Sequence, residues 1–183
     1  MSDPVTLRRL AAGELSILAQ WGDEPEVAGH LGQPFATPRA LARVRRQLST
    51  GRRLGMLIIL ADGPPIGYIE LAQLNWRARR GELCVFIGHE QHRGLGYGTA
   101  AVRQFTALLF GRHGLDRVYL RVAQSNTRAR RCYRKCGFRP RGYLAPTPRQ
   151  PERREALVLM ELNRRDWLNR RPGGGGRRRR ESR

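Results

Sequence analysis

The order of apolar patterns along the chain predicts an α/β fold: a mixed sheet of about seven strands with helices on both faces. Three observations carry that expectation. Helical spacing of apolar residues dominates the chain up to Gly51, short apolar runs separated by turn-forming residues come next, and the remainder alternates strand, helix, strand, helix, strand. Strands that meander pair antiparallel and strands joined through a helix pair parallel, so the sheet is expected to be mixed.

Residues 5–10 read as a first strand. Residues 11–21 carry Leu15, Leu18 and Trp21 at helical spacing, and the acidic Asp23, Glu24 and Glu26 follow at once. A second short helix is expected up to Leu31, ended by Gly32. Thr37 before Pro38 is a cap followed by proline at the first helical position, opening a helix through Leu41, Val44 and Leu48 that stops near Gly51. Runs 54–60 and 66–74 are strands joined by ADGPP at 61–65, and a turn at 77–81 leads into a strand at 82–88, which completes an antiparallel meander. A helix ending near Gly114 is followed by a strand at 118–123, a helix at 127–136 stopped by Gly137, a strand at 138–144, a proline-containing loop at 145–154 and a last strand at 156–162.

Composition narrows the function. A hydrophobic content of 40% over 183 residues suits one soluble domain, expected over residues 1–168. No run approaches the roughly eighteen apolar residues of a membrane span, and the N-terminus lacks an apolar signal core, so the expected location is the cytoplasm. Cys84, Cys132 and Cys136 are odd in number and make no disulfide framework. Cys132 and Cys136 sit four apart on a helix but lack the further ligands a metal needs, so they read as small buried residues; His30, His89, His92 and His113 form no ligand spacing either. No metal is expected.

The net charge is +20, with Lys135 as the only lysine. Residues 164–183 account for +7 of it, which leaves +13 on a fold that is itself basic. Residues 169–183, containing PGGGGRRRRESR, have no apolar group to bury and are expected to be a disordered tail. Such a tail is simply solvated or touches nucleic acid, the ribosome or an acidic membrane surface.

The chemistry concentrates at residues 84–110, CVFIGHEQHRGLGYGTAAVRQFTALLF. An apolar run breaks at Gly94, Gly96 and Gly98, and Ala101, Val102, Phe105, Leu108 and Leu109 then mark one face of a helix. Glycines allow a sharp turn and close approach of main chain to a ligand, and at a helix start the free N–H groups and the helix dipole favour phosphate. No GK[ST] follows, and the loop does not sit in the first strand–turn–helix unit, which argues against triphosphate and dinucleotide loops.

QHRGLG at 91–96 resembles the QxxGxG pattern of the GNAT superfamily of N-acetyltransferases, and VAQSNTRARRCYRKCGF at 122–138 resembles that superfamily's other signature, NxRAxxxYxKxGF. The resemblance covers the chain from Val5 to Trp167 and points to the branch of spermidine, aminoglycoside and ribosomal-protein N-terminal acetyltransferases. It implies that strands 82–88 and 118–123 splay apart at the sheet centre and that acetyl-CoA is the co-substrate. By the same resemblance, main-chain N–H groups of Arg93, Gly94, Leu95, Gly96, Tyr97, Gly98 and Thr99 hold pyrophosphate. Phe86, Ile87 and Gly88 pair with the pantetheine arm and offer an N–H to the thioester oxygen, Asn126 holds the arm from the opposite side, and Tyr133 donates a proton to the departing thiolate. Glu82 or Glu70 takes the amine proton or binds the ammonium, or water alone suffices. Arg93, Arg131, Arg134 and Lys135 meet the adenosine 3′-phosphate or are solvated charge.

The expected activity is acetyl transfer to a primary amine by direct attack in a ternary complex. The acceptor is a small polyamine or aminoglycoside-like molecule, toward which the acidic group at Asp23, Glu24 and Glu26 points, or a protein N-terminus, whose amine has a pKa of about 8 and needs less help from a base. An idle acetyltransferase-like scaffold binding nucleic acid through its arginines is the alternative class. The chain is expected to be a monomer or homodimer.

Overall fold

A computed structural model describes residues 4–22, 37–61, 63–146 and 155–170. The elements are β1 (Val5–Arg9), α1 (Leu15–Gly22), α2 (Pro38–Ser49), β2 (Leu54–Leu60), β3 (Pro65–Asn75), β4 (Arg80–Ile87), α3 (Tyr97–Gly111), β5 (Arg117–Ala123), α4 (Thr127–Cys136), β6 (Arg139–Leu144), β7 (Leu157–Asn163) and α5 (Arg164–Leu168). The expected second helix up to Leu31, the acidic trio, most of the loop at 145–154 and the arginine tail beyond residue 170 lie outside the described residues.

The sheet has seven strands in the order β1-β2-β3-β4-β5-β7-β6. Strands β2, β3 and β4 form the antiparallel meander that the turns between them predict, β1 pairs antiparallel with β2 across the intervening helices α1 and α2, and β4 meets β5 in parallel. Strand β7 then inserts between β5 and β6, antiparallel to both. The turn expected at 77–81 is tighter than its sequence indicated: Arg79 takes a positive φ of 50° and β4 begins at Arg80. Short α5 has no counterpart among the sequence expectations, and its Trp167 ring lies tilted against Phe110 of α3 with centroids 5.5 Å apart.

Alternation along the strands divides the core. On one face Ile69, Leu71, Leu83 and Leu120 pack with Val102, Phe105 and Leu109 of α3 and Tyr133 and Cys136 of α4. On the other, Leu57, Tyr68 and Phe86 pack with Leu18 and Trp21 of α1 and Val44 of α2. Helix α2 starts as its sequence dictates, with Thr37 Oγ1 accepting from the Ala40 N–H at 3.1 Å and Pro38 next to the cap. Helix α1 is preceded by a short 3₁₀ turn (Ala12–Glu14), where the Glu14 carboxylate accepts from Ala11 N–H at 2.8 Å and from Arg8 at 2.6 and 3.0 Å. Arg8, and then the Ala11 N–H, draw Glu14 down to about 2.

Helix α2 comes close to the sheet because Gly55 leaves room. A Cβ at Gly55 would overlap the Tyr68 hydroxyl and press on Leu48 at 3.1 Å. Gly55→Ala should therefore destabilise the fold by about 1–3 kcal/mol, the cost of overpacking a filled interior, read as a lowered urea midpoint.

Candidate active site

Strands β4 and β5 pair at only three positions: Arg80 with Arg117, Gly81 with Val118 and Glu82 with Tyr119. Beyond Glu82 they diverge, as the resemblance implied. At the point of divergence Arg121 closes a two-toothed bridge onto Glu82, with Nε to Oε1 at 2.6 Å and Nη2 to Oε2 at 2.8 Å. Glu82 thus spends both oxygens pinning the base of the split.

Above that bridge lies a cavity of about 440 Å³. Its walls are Val85, Phe86 and Ile87 of β4, the glycine turn from His92 to Thr99 apart from Leu95, and Asn126, Arg131, Cys132, Tyr133 and Lys135 at the start and inner face of α4; Gly88 does not line it. The two sequence signatures, about thirty residues apart, therefore face each other across one opening. Arg134 is exposed and does not line it.

The turn is built for an anion. Gly94 and Gly96 have φ of 79° and 89°, a left-handed backbone that only glycine adopts without strain. A Cβ at Gly94, Gly96 or Gly98 would meet nothing within 4 Å, so these positions open onto free space. Gly96 is the cap residue of α3 and has no side chain to satisfy the first-turn N–H groups. Those donors and the dipole of a fifteen-residue helix aim into the cavity, and Leu95 beside them is 61% exposed. The residues present fit a pyrophosphate, with one refinement: the Arg93 N–H already bonds Glu90 O at 2.8 Å, so the free donors begin after Arg93.

The Arg93 side chain has a different task from the one its charge suggests. Its Nε donates to Ile87 O at 3.1 Å and Nη2 to Gly88 O at 2.7 Å, folding the turn back onto the end of β4. The direction of the β4 amides also refines the sequence expectation. Gly88 N–H bonds Ile66 O at 2.8 Å, so alternation turns the Phe86 amide toward β3 and those of Val85 and Ile87 toward the split. Phe86 lines the cavity with its ring, while the open main-chain edge belongs to Ile87 and to Val85, which sequence reading passed over; the parity of a single turn bond is the signal that finds it. Gly88 is needed because the Trp21 indole lies against it, and Trp21 Nε1 donates to His89 Nε2 at 3.5 Å.

On α4, Asn126 caps the helix through Oδ1, accepting from Ala129 N–H at 2.9 Å, and lines the cavity. Gly137 at φ 102° ends the helix. Tyr133 is buried, packs its ring 5.9 Å from Phe138 and lines the cavity. Burial, reinforced by the thiols of Cys84, Cys132 and Cys136, pushes its phenol well above the ordinary value. Cys136 is buried as expected, but Cys132 reaches the cavity wall. Thr99 Oγ1 donates to Cys132 Sγ at 3.3 Å and Cys136 Sγ to Thr99 O at 3.6 Å, which ties α4 to the first turn of α3. The Cys136 hydrogen bond draws the Cys132 thiol down. Among the described residues no group of three or more His, Cys, Asp or Glu is placed to hold a metal.

Glu70 stands on β3 opposite Cys84, buried, and pairs with Arg53 Nη1. Neither Glu70 nor Glu82 lines the cavity. Burial raises the Glu70 carboxyl above its ordinary 4.5, against the opposing pull of Arg53 and of the Tyr68 phenol.

A cofactor turn and an opposed phenol across a split parallel pair define an acyl-CoA-dependent transferase. The chain belongs to the GNAT acetyltransferase family: the model of the acetyltransferase (GNAT) domain matches residues 5–139. It is accordingly an N-acetyltransferase with acetyl-CoA as co-substrate. It is 28% identical over 164 residues to aminoglycoside N(6′)-acetyltransferase type 1 of Klebsiella pneumoniae, covering 82% of this chain and 81% of that one. Over 87 residues it is 33% identical to spermidine N(1)-acetyltransferase of Escherichia coli K12, covering 48% of this chain and 46% of that one. The fold superposes on spermidine N-acetyltransferase from Vibrio cholerae, solved in complex with CoA and spermine, with TM-score 0.81 and 22% identity, covering 92% of this chain and all of that one. Among the described residues no helix is long and apolar enough to cross a membrane.

The Glu70 environment predicts a pH signature. A carboxyl whose folded value lies above 4.5 contributes stability that is complete below 4.5 and lost as pH rises through the folded value. The unfolding free energy of the wild type minus that of Glu70→Gln should therefore fall as pH rises above 4.5 in urea titrations; a flat difference would contradict the burial of the charge.

Proposed function

We propose that this enzyme acetylates a primary amine of a small polyamine or aminoglycoside-like acceptor by direct attack within a ternary complex, with Tyr133 as the general acid. The single observation that carries the chemistry is the meeting of an uncapped glycine turn, a main-chain edge without a strand partner and a buried phenol on one cavity. Bound acetyl-CoA supplies the activated thioester.

The N–H groups from Gly94 to Thr99 hold the pyrophosphate, Val85 and Ile87 align the pantetheine arm as an added strand would be aligned, and the Asn126 amide meets it from α4. An N–H on the β4 edge faces the thioester oxygen, where charge develops during attack. Attack leaves the sulfur in need of a proton, which Tyr133 delivers. Burial keeps that phenol protonated at any working pH, and no described residue occupies its hydroxyl. Glu82 is committed to Arg121 and Glu70 to Arg53, so the amine loses its proton to water, with Glu70 setting the field behind β4. The names of the relatives favour polyamine or aminoglycoside acceptors.

A screen of polyamines, aminoglycosides and N-terminal peptides by release of free CoA thiol tests the acceptor class; turnover confined to the peptides would overturn it. Tyr133→Phe should lower kcat by about a hundredfold or more while leaving the Kd for acetyl-CoA within about twofold. Gly96→Ala puts a methyl group at a positive φ, a strain of about 1–2 kcal/mol, and should do the reverse: raise the KM for acetyl-CoA severalfold with kcat nearly unchanged.

A further inference from the structure

A second cavity, of about 820 Å³, opens at the other end of α3, where α3 and α2 both finish beside the start of β2. Phe105, its lining residue nearest the glycine turn, stands eight residues into α3 from Tyr97, about 12 Å along the axis at 1.5 Å per residue, and its rim lies at the far end of that helix. Its volume is within the ordinary range of ligand sites. The floor is apolar, with Leu15, Leu48, Leu54, Met56, Phe105 and Leu108, and the rim is cationic.

Arg9 from β1, Arg45 from α2 and Arg112 from the end of α3 are exposed around this opening, and none forms an ion pair with a described residue. His113 completes the rim and Arg53, already engaged by Glu70, closes it below. No acidic residue is among those lining it. Cations of one sign brought together without counter-charge repel one another, and a fold keeps such a cluster at a cost unless an anion joins it. The repulsion registers on His113, whose imidazole is lowered first by burial and then by Arg9 and Arg112. Two helix C-termini nearby oppose an anion, but each carries only about half a charge, and three unpaired guanidiniums outweigh them.

We propose that this cavity is a binding site for an anionic amphiphile, a phosphate or carboxylate head seated among Arg9, Arg45 and Arg112 with an apolar body on the leucine and phenylalanine floor. The head neutralises the guanidiniums, and the body covers surface that the fold leaves open. The site is distinct from the cofactor cavity and does not depend on the acceptor assignment.

The test is calorimetric titration of the full chain, saturated with CoA so that the glycine turn is occupied, with octyl phosphate, octanoate and inorganic phosphate. Octyl phosphate should bind at least tenfold more tightly than inorganic phosphate, and octanoate distinguishes a carboxylate head from a phosphate one. Arg45→Glu with Arg112→Glu should weaken octyl phosphate tenfold or more. Arg39→Glu with Arg43→Glu, the same change of charge on the part of α2 that does not line the cavity, should leave it within twofold. CoA affinity reports that both variants are folded. In the wild type, octyl phosphate should raise the pKa of His113, followed by NMR, by roughly half a unit. Absence of octyl phosphate binding, equal affinity for inorganic phosphate, or equal loss in the two double variants would overturn the proposal.

Discussion

The parting of β4 from β5 is the constraint on which the rest of this enzyme depends. A parallel pair that stops after three positions leaves main-chain donors and acceptors facing each other across a gap in the middle of a sheet. Buried main-chain groups must find partners, and a side chain could not supply them in series. An extended arm bearing amides can, and the pantetheine of acetyl-CoA is such an arm. The gap is held open by elements outside it: the Glu82–Arg121 bridge at its base, the glycine turn at its mouth, and α4 tied to α3 through Thr99 and the two cysteines.

Charge within the fold follows the same economy. Glu70 and Glu82 lie on neighbouring strands, each committed to an arginine, so two adjacent carboxylates are flanked on either side by a guanidinium across the sheet. Paired this way the carboxylates brace β3 and β4. Tyr133 is the opposite case. It lines the cavity with no ion among the described residues to pair with, and burial keeps its proton in place.

Much of this was legible in the chain. Thr37–Pro38, Gly137, Gly94 and Gly96 each announce a backbone requirement that few residue types meet, and their elements fall where expected. The charged residues were harder to read, because sequence gives a charge but not its partner. Arg93 flanks a phosphate turn yet binds two carbonyls, and Glu82 occupies a plausible base position yet braces the split. Val85 was hidden for another reason. Which of two adjacent strand residues offers its amide to a cleft is settled by one hydrogen bond beyond the strand end, at Gly88, and no local pattern records it.

The fold-back of Arg93 onto Ile87 and Gly88 has one more implication. It makes the corner between strand and turn a closed covalent-plus-polar ring, rigid before any visitor arrives. A receptor segment fixed before its ligand arrives loses less freedom on binding, so this ring lowers the ordering cost of the stretch from Ile87 to Arg93.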